Sequence, residues 1–282
     1  MRLDSSLAKI IMSASPRIFD GPGGDIILRA PLELGSDESK DFHVHKIILS
    51  VASTVFQDAF SIPQPPHPTS ELKNTTLDVV PVTEPAVVLE TFLQFIYPVD
   101  PPVVESLRLL GALFQIADKY QATGVTTKLK HILVSPSFLQ ADPVGVFSIA
   151  YRHDLREERE LAVLHTFRTD VVASVSAEHL RNMTAEAYNL LLKEHASRRQ
   201  KLSYAFDAVA RSNYCPCVRV LMGKDIRVQV SKEPFLDRKI LEQCAFNPAN
   251  NDIRCKFQYC IYTDSRKCTT LLSKVMQEIE TL

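Results

Sequence analysis

Six cysteines, Cys215, Cys217, Cys244, Cys255, Cys260 and Cys268, all fall in the last quarter of the chain. Thiolates gathered in this way can hold structural zinc, which takes four tetrahedral ligands, commonly from Cys pairs two to four residues apart. The spacing here departs from that pattern. Cys215-Pro216-Cys217 leaves a single residue between its thiols, and Cys255 and Cys260 sit an odd number of positions apart. On one continuous strand that parity sends them to opposite faces, so only a bend near Gln258 would bring both to one ion. The competing reading is a set of buried or half-buried free thiols, because free Cys is among the most buried residue types.

The remaining reactive residue types form no catalytic pattern. The eight His include no His-Glu-x-x-His pair, and Ser203 and Ser212 lie in no Gly-x-Ser-x-Gly elbow. Gly is scarce, at 8 residues against 17 Pro, and no glycine-rich turn suits a phosphate group. Nothing supplies an activated nucleophile or a matched acid and base. The chain therefore reads as a non-enzyme that needs no cofactor, structural zinc in the tail being the one alternative.

Charge argues the same way. Lys and Arg total 32 against 33 Asp and Glu, which leaves a net charge of −1 and no global attraction to nucleic acid or an anionic membrane. Cations do gather in the tail, among them Arg219, Lys224, Arg227, Lys232, Arg238, Lys239, Arg254, Lys256, Arg266 and Lys267. With few aromatics among them they read as a solvated face, the sharper alternative being a weak, zinc-dependent nucleic-acid or transcription-related surface. The N-terminus lacks the apolar core of a secretory signal, and no stretch approaches the roughly 18 apolar residues of a membrane span. The expected setting is intracellular, cytoplasm or nucleus, where disulfides rarely persist.

The elements that must carry these residues follow from periodicity. Asp20 to Gly24 is a turn cluster, and Asp25-Ile26-Ile27-Leu28-Arg29 a short strand. Leu34 to Asp41 reads as a hairpin turn, and Phe42-His43-Val44-His45 as a half-buried strand. From Lys46 the period becomes helical: Ile48, Val51, Ala52, Val55, Phe56, Ala59 and Phe60 predict one helix that stops near Ile62, before Pro63, Pro65, Pro66 and Pro68. Leu77 to Val82 predicts a strand with Pro81 at its end or on an edge. Thr83 is the expected cap of a helix striped by Val88, Leu89, Phe92, Phe95 and Ile96. A helix over Leu109 to Tyr120 is expected to end at Gly124. Ser135-Pro136-Ser137 marks a boundary, and helices are predicted over 142–151, 155–173, 176–183, 184–195 and 202–209. After about residue 211, alternating Ile226, Val228 and Val230, then Ile253, Cys255, Phe257, Tyr259 and Ile261, predict strands with helices between and after them.

The order of these elements and several local motifs resemble the BTB/POZ domain. The motifs are Asp25-Ile26-Ile27-Leu28, Phe42-x-Val44-His45-Lys46-x-x-Leu49, Ser53-x-x-Phe56 with Phe60, Phe92-x-x-Phe95-Ile96-Tyr97, and Ala117-Asp118-Lys119-Tyr120-Gln121-Ala122-Thr123-Gly124. Beyond residue 134, Ala141-Asp142-Pro143 and the stretch Leu180 to Leu191 resemble a group of fungal BTB proteins with a helical region and a Cys-containing tail. The resemblance implies an α+β fold: an extension over 1–19, a BTB/POZ domain over 20–134, a helical extension over 135–210 and a small α+β module over 211–282. It implies a protein–protein interaction module that forms homodimers or hetero-oligomers and recruits partners. The implied protein-binding residues are Asp25, His45, Lys46, Phe56 and Phe60, with Asp25 and Lys46 meeting in a groove and His45 buried and hydrogen-bonded. Read without the resemblance, Asp25 is a turn residue and Lys46 a surface lysine at a helix start.

Some BTB proteins are substrate adaptors of cullin-type ubiquitin ligases and place an apolar-x-Glu signal just after the Phe56–Phe60 helix. Here Ile62-Pro63-Gln64-Pro65-Pro66 stands in that place, with Glu71 the first acid. That departure ranks the adaptor reading second.

Overall fold

A computed structural model describes residues 18–21, 23–62 and 77–211, with side chains of the last helix described to residue 204. The chain divides into two compact units, Met1–Ser135 and Pro136–Leu282.

The first unit is built on a three-stranded sheet in the order β2-β1-β3. β1 (Ile26–Pro31) pairs antiparallel with β2 (Ser39–Val44), with Leu28 opposite Phe42 and Ile26 opposite Val44. These four side chains are buried, so one face of the ribbon meets the core. Gly35 takes a left-handed φ of 80° in the connecting turn. The third strand is shorter than the apolar run suggests: β3 (Val79–Pro81) pairs parallel with β1 at the sheet's edge, where a proline can stand.

The single helix expected from Lys46 to Ile62 is two helices. α1 (Lys46–Ala52) and α2 (Thr54–Ser61) are separated by Ser53, whose backbone is extended at φ −145°, ψ 123°. The Ser53 hydroxyl donates to the carbonyl of Tyr120 and accepts from the Phe56 N–H, so it caps α2 while holding the chain to a distant turn. α3 (Ala86–Ile96) runs beneath the sheet, with ten of its eleven residues buried. Thr83 does not cap it. Pro85 holds that position, and the Thr83 hydroxyl instead accepts from Lys119 Nζ at 2.9 Å.

α4 (Leu107–Lys119) and α5 (Thr123–Leu133) complete the unit. The left-handed residue between them is Gln121, φ 51°, and Gly124 lies inside α5 rather than ending α4. Lys128 Nζ reaches the Phe95 carbonyl at 2.8 Å and satisfies one of the last carbonyls of α3.

The second unit is all helical over its described part. α6 (Pro136–Ala141) and α7 (Pro143–Arg152) are joined at Asp142, whose carboxylate accepts the Gly145 N–H. The stretch expected as one helix over 155–173 is α8 (Arg156–Thr166) and α9 (Val171–Ser174), interrupted where Asp170 starts a new N-terminus. α10 (Ala177–Asn182) follows. The last two predicted helices are one: α11 (Ala185–Arg211) runs unbroken for 27 residues. Within α8, Arg156 and Glu160 are paired at 3.0 Å across one turn, both exposed.

All six cysteines, the zinc reading attached to them and the predicted α+β tail lie outside the described residues, as do residues 1–17 of the extension. Among the described residues no cluster of His, Cys, Asp or Glu is suited to a metal ion. None of the described helices is long and apolar enough to cross a membrane.

Candidate functional site

Three of the residues singled out in the sequence, Asp25, His45 and Lys46, converge on the junction where β2 enters α1. Gly24 brings the chain so close to β2 that a Cβ there would stand 2.5 Å from the Val44 nitrogen. This approach lets the Asp25 N–H bond the Val44 carbonyl at 3.0 Å and sets the Asp25 side chain over the first turn of α1.

Asp25 and Lys46 do meet, through different atoms from those expected. The Asp25 carboxylate accepts the backbone N–H of Lys46 at 2.7 Å. His45, which precedes α1, makes no side-chain cap, so Asp25 supplies the missing acceptor from across the sheet. A carboxylate at a helix N-terminus also opposes the positive end of the helix dipole. The Lys46 ammonium turns away and pairs with Asp78 at 3.2 Å, just ahead of β3. Both partners are more than a third exposed, so solvent leaves this pair a weak contribution to stability. Asp25 is exposed, and its carboxylate is engaged by the start of α1 rather than by the Lys46 ammonium.

His45 is half-buried and hydrogen-bonded, and its partner is Tyr97 at the C-terminal end of α3. The Tyr97 oxygen accepts the His45 backbone N–H at 2.8 Å and lies 3.2 Å from His45 Nδ1. The Tyr97 hydroxyl thus holds both the backbone and the ring of His45, and the tautomer of the imidazole sets which of the two is the donor in the second contact. Burial pushes the Tyr97 hydroxyl above its ordinary pKa; the bond from His45 opposes this and the Asp25 charge adds to it. Phe19 packs edge-on against Tyr97 at 5.0 Å, and its carbonyl accepts the His43 N–H. Phe19 is 1% exposed yet lies in the stretch read only as an N-terminal extension, where too few residues carry a period to mark it as core.

Phe56 leaves the set of surface residues. It is 4% exposed and stacked on Tyr120 at 4.4 Å and on Phe60 at 5.7 Å. Its Ser53-x-x-Phe56 spacing reports an internal cap and a core ring; Phe60 remains half-buried at the rim.

What α1 offers outward is aliphatic. Ile47 is 69% exposed and Val51 83%, one turn apart, while Leu49 on the opposite side is fully buried. Ile62, at the end of α2, is also exposed. Helical spacing assigned Val51 to the core stripe, but the break at Ser53 ends the phase that would have buried it. Beside this aliphatic surface stand Asp25, Lys46 and Asp78. The arrangement has a binding surface's mix of apolar centre and charged rim.

No curated protein matches this chain. Residues 32–137 match the family model of the BTB/POZ domain, from the turn after β1 to the second residue of α6. The α+β unit of small sheet and helices described above is thus a BTB/POZ domain, a protein–protein interaction module.

Proposed function

We propose that this BTB/POZ domain joins two copies of the chain through the outer face of α1, and that the assembled pair recruits further protein partners. The supporting observation is the exposure of Ile47 and Val51 on a helix whose inner side is already committed to the core. An aliphatic pair left in water loses about 1.5–3 kcal/mol per side chain relative to burial, so a second α1 face recovers free energy that a monomer cannot. Two-fold pairing makes the patch its own complement. Asp25, Lys46 and Asp78 lie at the edge of the patch and bias which further peptides can approach.

Sedimentation of the full chain over a range of concentrations tests this. The wild type is expected to associate reversibly, and Ile47→Asp with Val51→Asp to shift it to monomer without loss of helical circular dichroism. A wild-type chain that sediments as a monomer at every concentration overturns the reading.

A second reading is favoured by Ile62, 64% exposed at the end of α2, where a cullin-type adaptor presents an apolar residue to its scaffold. The same preparations, incubated with a purified cullin scaffold, separate the two. Micromolar binding abolished by Ile62→Asp reverses their order.

A further inference from the structure

The unit that begins at Pro136 carries an exposed helix face whose pattern matches itself when reversed. On α8 and the turn after it, Glu157, Leu161, Leu164 and Arg168 fall within an arc of about 60° at 3.6 residues per turn. Arg168 belongs to this face because the chain keeps its helical course past Thr166. Phe167 has φ −60° and ψ −18°, and the Arg168 N–H bonds the His165 carbonyl at 3.3 Å. Glu157 and Arg168 are exposed, Leu161 is 37% exposed and Leu164 58%. Ala162 and Thr166 are buried, so α8 packs into its own unit by the opposite side.

The order of charges along this face singles out its occupant. Leu161 with Leu164, Glu157 with Arg168, and Glu160 with His165 are each centred on one point, midway between Ala162 and Val163. When a second α8 is laid antiparallel on the face, each residue meets the other member of its pair on the second helix. Leucines then face leucines at the centre, and at both ends a Glu157 carboxylate faces an Arg168 guanidinium. Laid parallel, the same faces would oppose Glu157 to Glu157 and Arg168 to Arg168, which disfavours contact. The charges therefore select the antiparallel arrangement and make the face its own complement.

We propose that this face docks on the α8 face of a second copy of the chain, antiparallel about a two-fold axis, and that the contact links the pairs formed through α1 into larger assemblies. Two leucines a side bury far less than the roughly 1,200 Å² at the low end of a standard interface, so a single α8 contact is weak. It forms at concentrations above those that give the α1 pair, and Ile47→Asp with Val51→Asp leaves single copies where the wild type is paired. The larger assembly rests on the α1 reading; the α8 contact itself does not.

Sedimentation of the full chain, carried to concentrations well above those that saturate pairing, reads the contact. The wild type is expected to pass from pairs to larger species. Glu157→Arg and Arg168→Glu, each alone, put like charges at both ends of the contact. Each is expected to raise the concentration at which larger species appear by about ten-fold, with the pair intact. The chain carrying both reversals has opposite charges at both ends again and is expected to return to within about three-fold of the wild type. Residues 157 and 168 stand about 16 Å apart along one helix, so this rescue reports a contact between copies. A wild type that stops at pairs at every concentration overturns the α8 contact and leaves the α1 reading standing. So do larger species that neither single reversal weakens, and so does a double reversal no better than its single members. A wild type that is monomeric throughout overturns both. If Ile47→Asp with Val51→Asp still pairs and Glu157→Arg abolishes that pairing, the α8 contact stands and the α1 reading falls.

Discussion

His195 shows how a single buried residue reaches stability. It is 1% exposed, and its Nε2 faces Thr166 Oγ1. Thr166 gives its own proton to the Val163 carbonyl at 2.6 Å, so Nε2–H of a neutral imidazole is the donor between them. Burial, helped by the charge of Arg199 and opposed by Asp170, pushes the His195 pKa down to about 4. Above about pH 6.5 both folded and unfolded chains hold it neutral. Between there and pH 4 only the unfolded chain takes up the proton, so stability falls with acid across that window and levels off below it. The loss reaches up to about 3 kcal/mol for a shift of this size. Urea titrations from pH 7 to pH 4 are expected to show the slope and His195→Gln to flatten most of it. A smaller slope remains from His165, which burial also lowers.

Single residues were legible in proportion to how local their roles are. Asp25, His45 and Lys46 were found as a group because a strand end and a helix start place them together. Their atoms were not: Asp78 and Tyr97, which hold Lys46 and His45, come from segments more than thirty residues away, and no local spacing announces them. Within one chain Asp25 and Lys46 meet through the backbone, because the N–H at the helix start offers the carboxylate a partner at 2.7 Å while the ammonium goes to Asp78.

Elements were readable where one period governs and misread where a long-range bond cuts it. Val55, Phe56, Ala59 and Phe60 continue the phase set by Ile48, so α1 and α2 looked like one helix. The interruption is the Ser53 hydroxyl on the Tyr120 carbonyl, 67 residues on. In α11 the error ran the other way: the weaker stripe around Ala196 and Ser197 looked like a gap, although nothing there stops a helix. Close approach of elements is testable at Gly24. Its added Cβ would meet the backbone of Val44 and His43, atoms that can yield only by moving the strand. Gly24→Ala is expected to destabilise the first unit by about 1–3 kcal/mol, read as a lower urea midpoint at unchanged slope. Gly23→Ala, with open space around it, serves as the comparison.

At the scale of the molecule, the α+β character and the order of sheet and helices through residue 133 were legible because hydrophobic period, proline runs and turn clusters agree there. The surface that carries the proposed assembly was legible only in part. Sequence pattern marks which side of a helix is apolar, and α1 is apolar on both sides, so only the fold distinguishes the core-facing Leu49 from Ile47 and Val51.

α3 carries a consequence for how such a domain can change. With ten of its eleven positions buried, and even Glu90 enclosed against Lys40 at 3.1 Å, it has almost no wet side on which neutral substitutions can accumulate. Novelty in partner choice must therefore arise on α1, in the loops and at the chain ends, while this axle stays nearly fixed. A library that randomises α3 would return misfolded chains, whereas one that randomises the outward positions of α1 would return altered specificities on an intact scaffold.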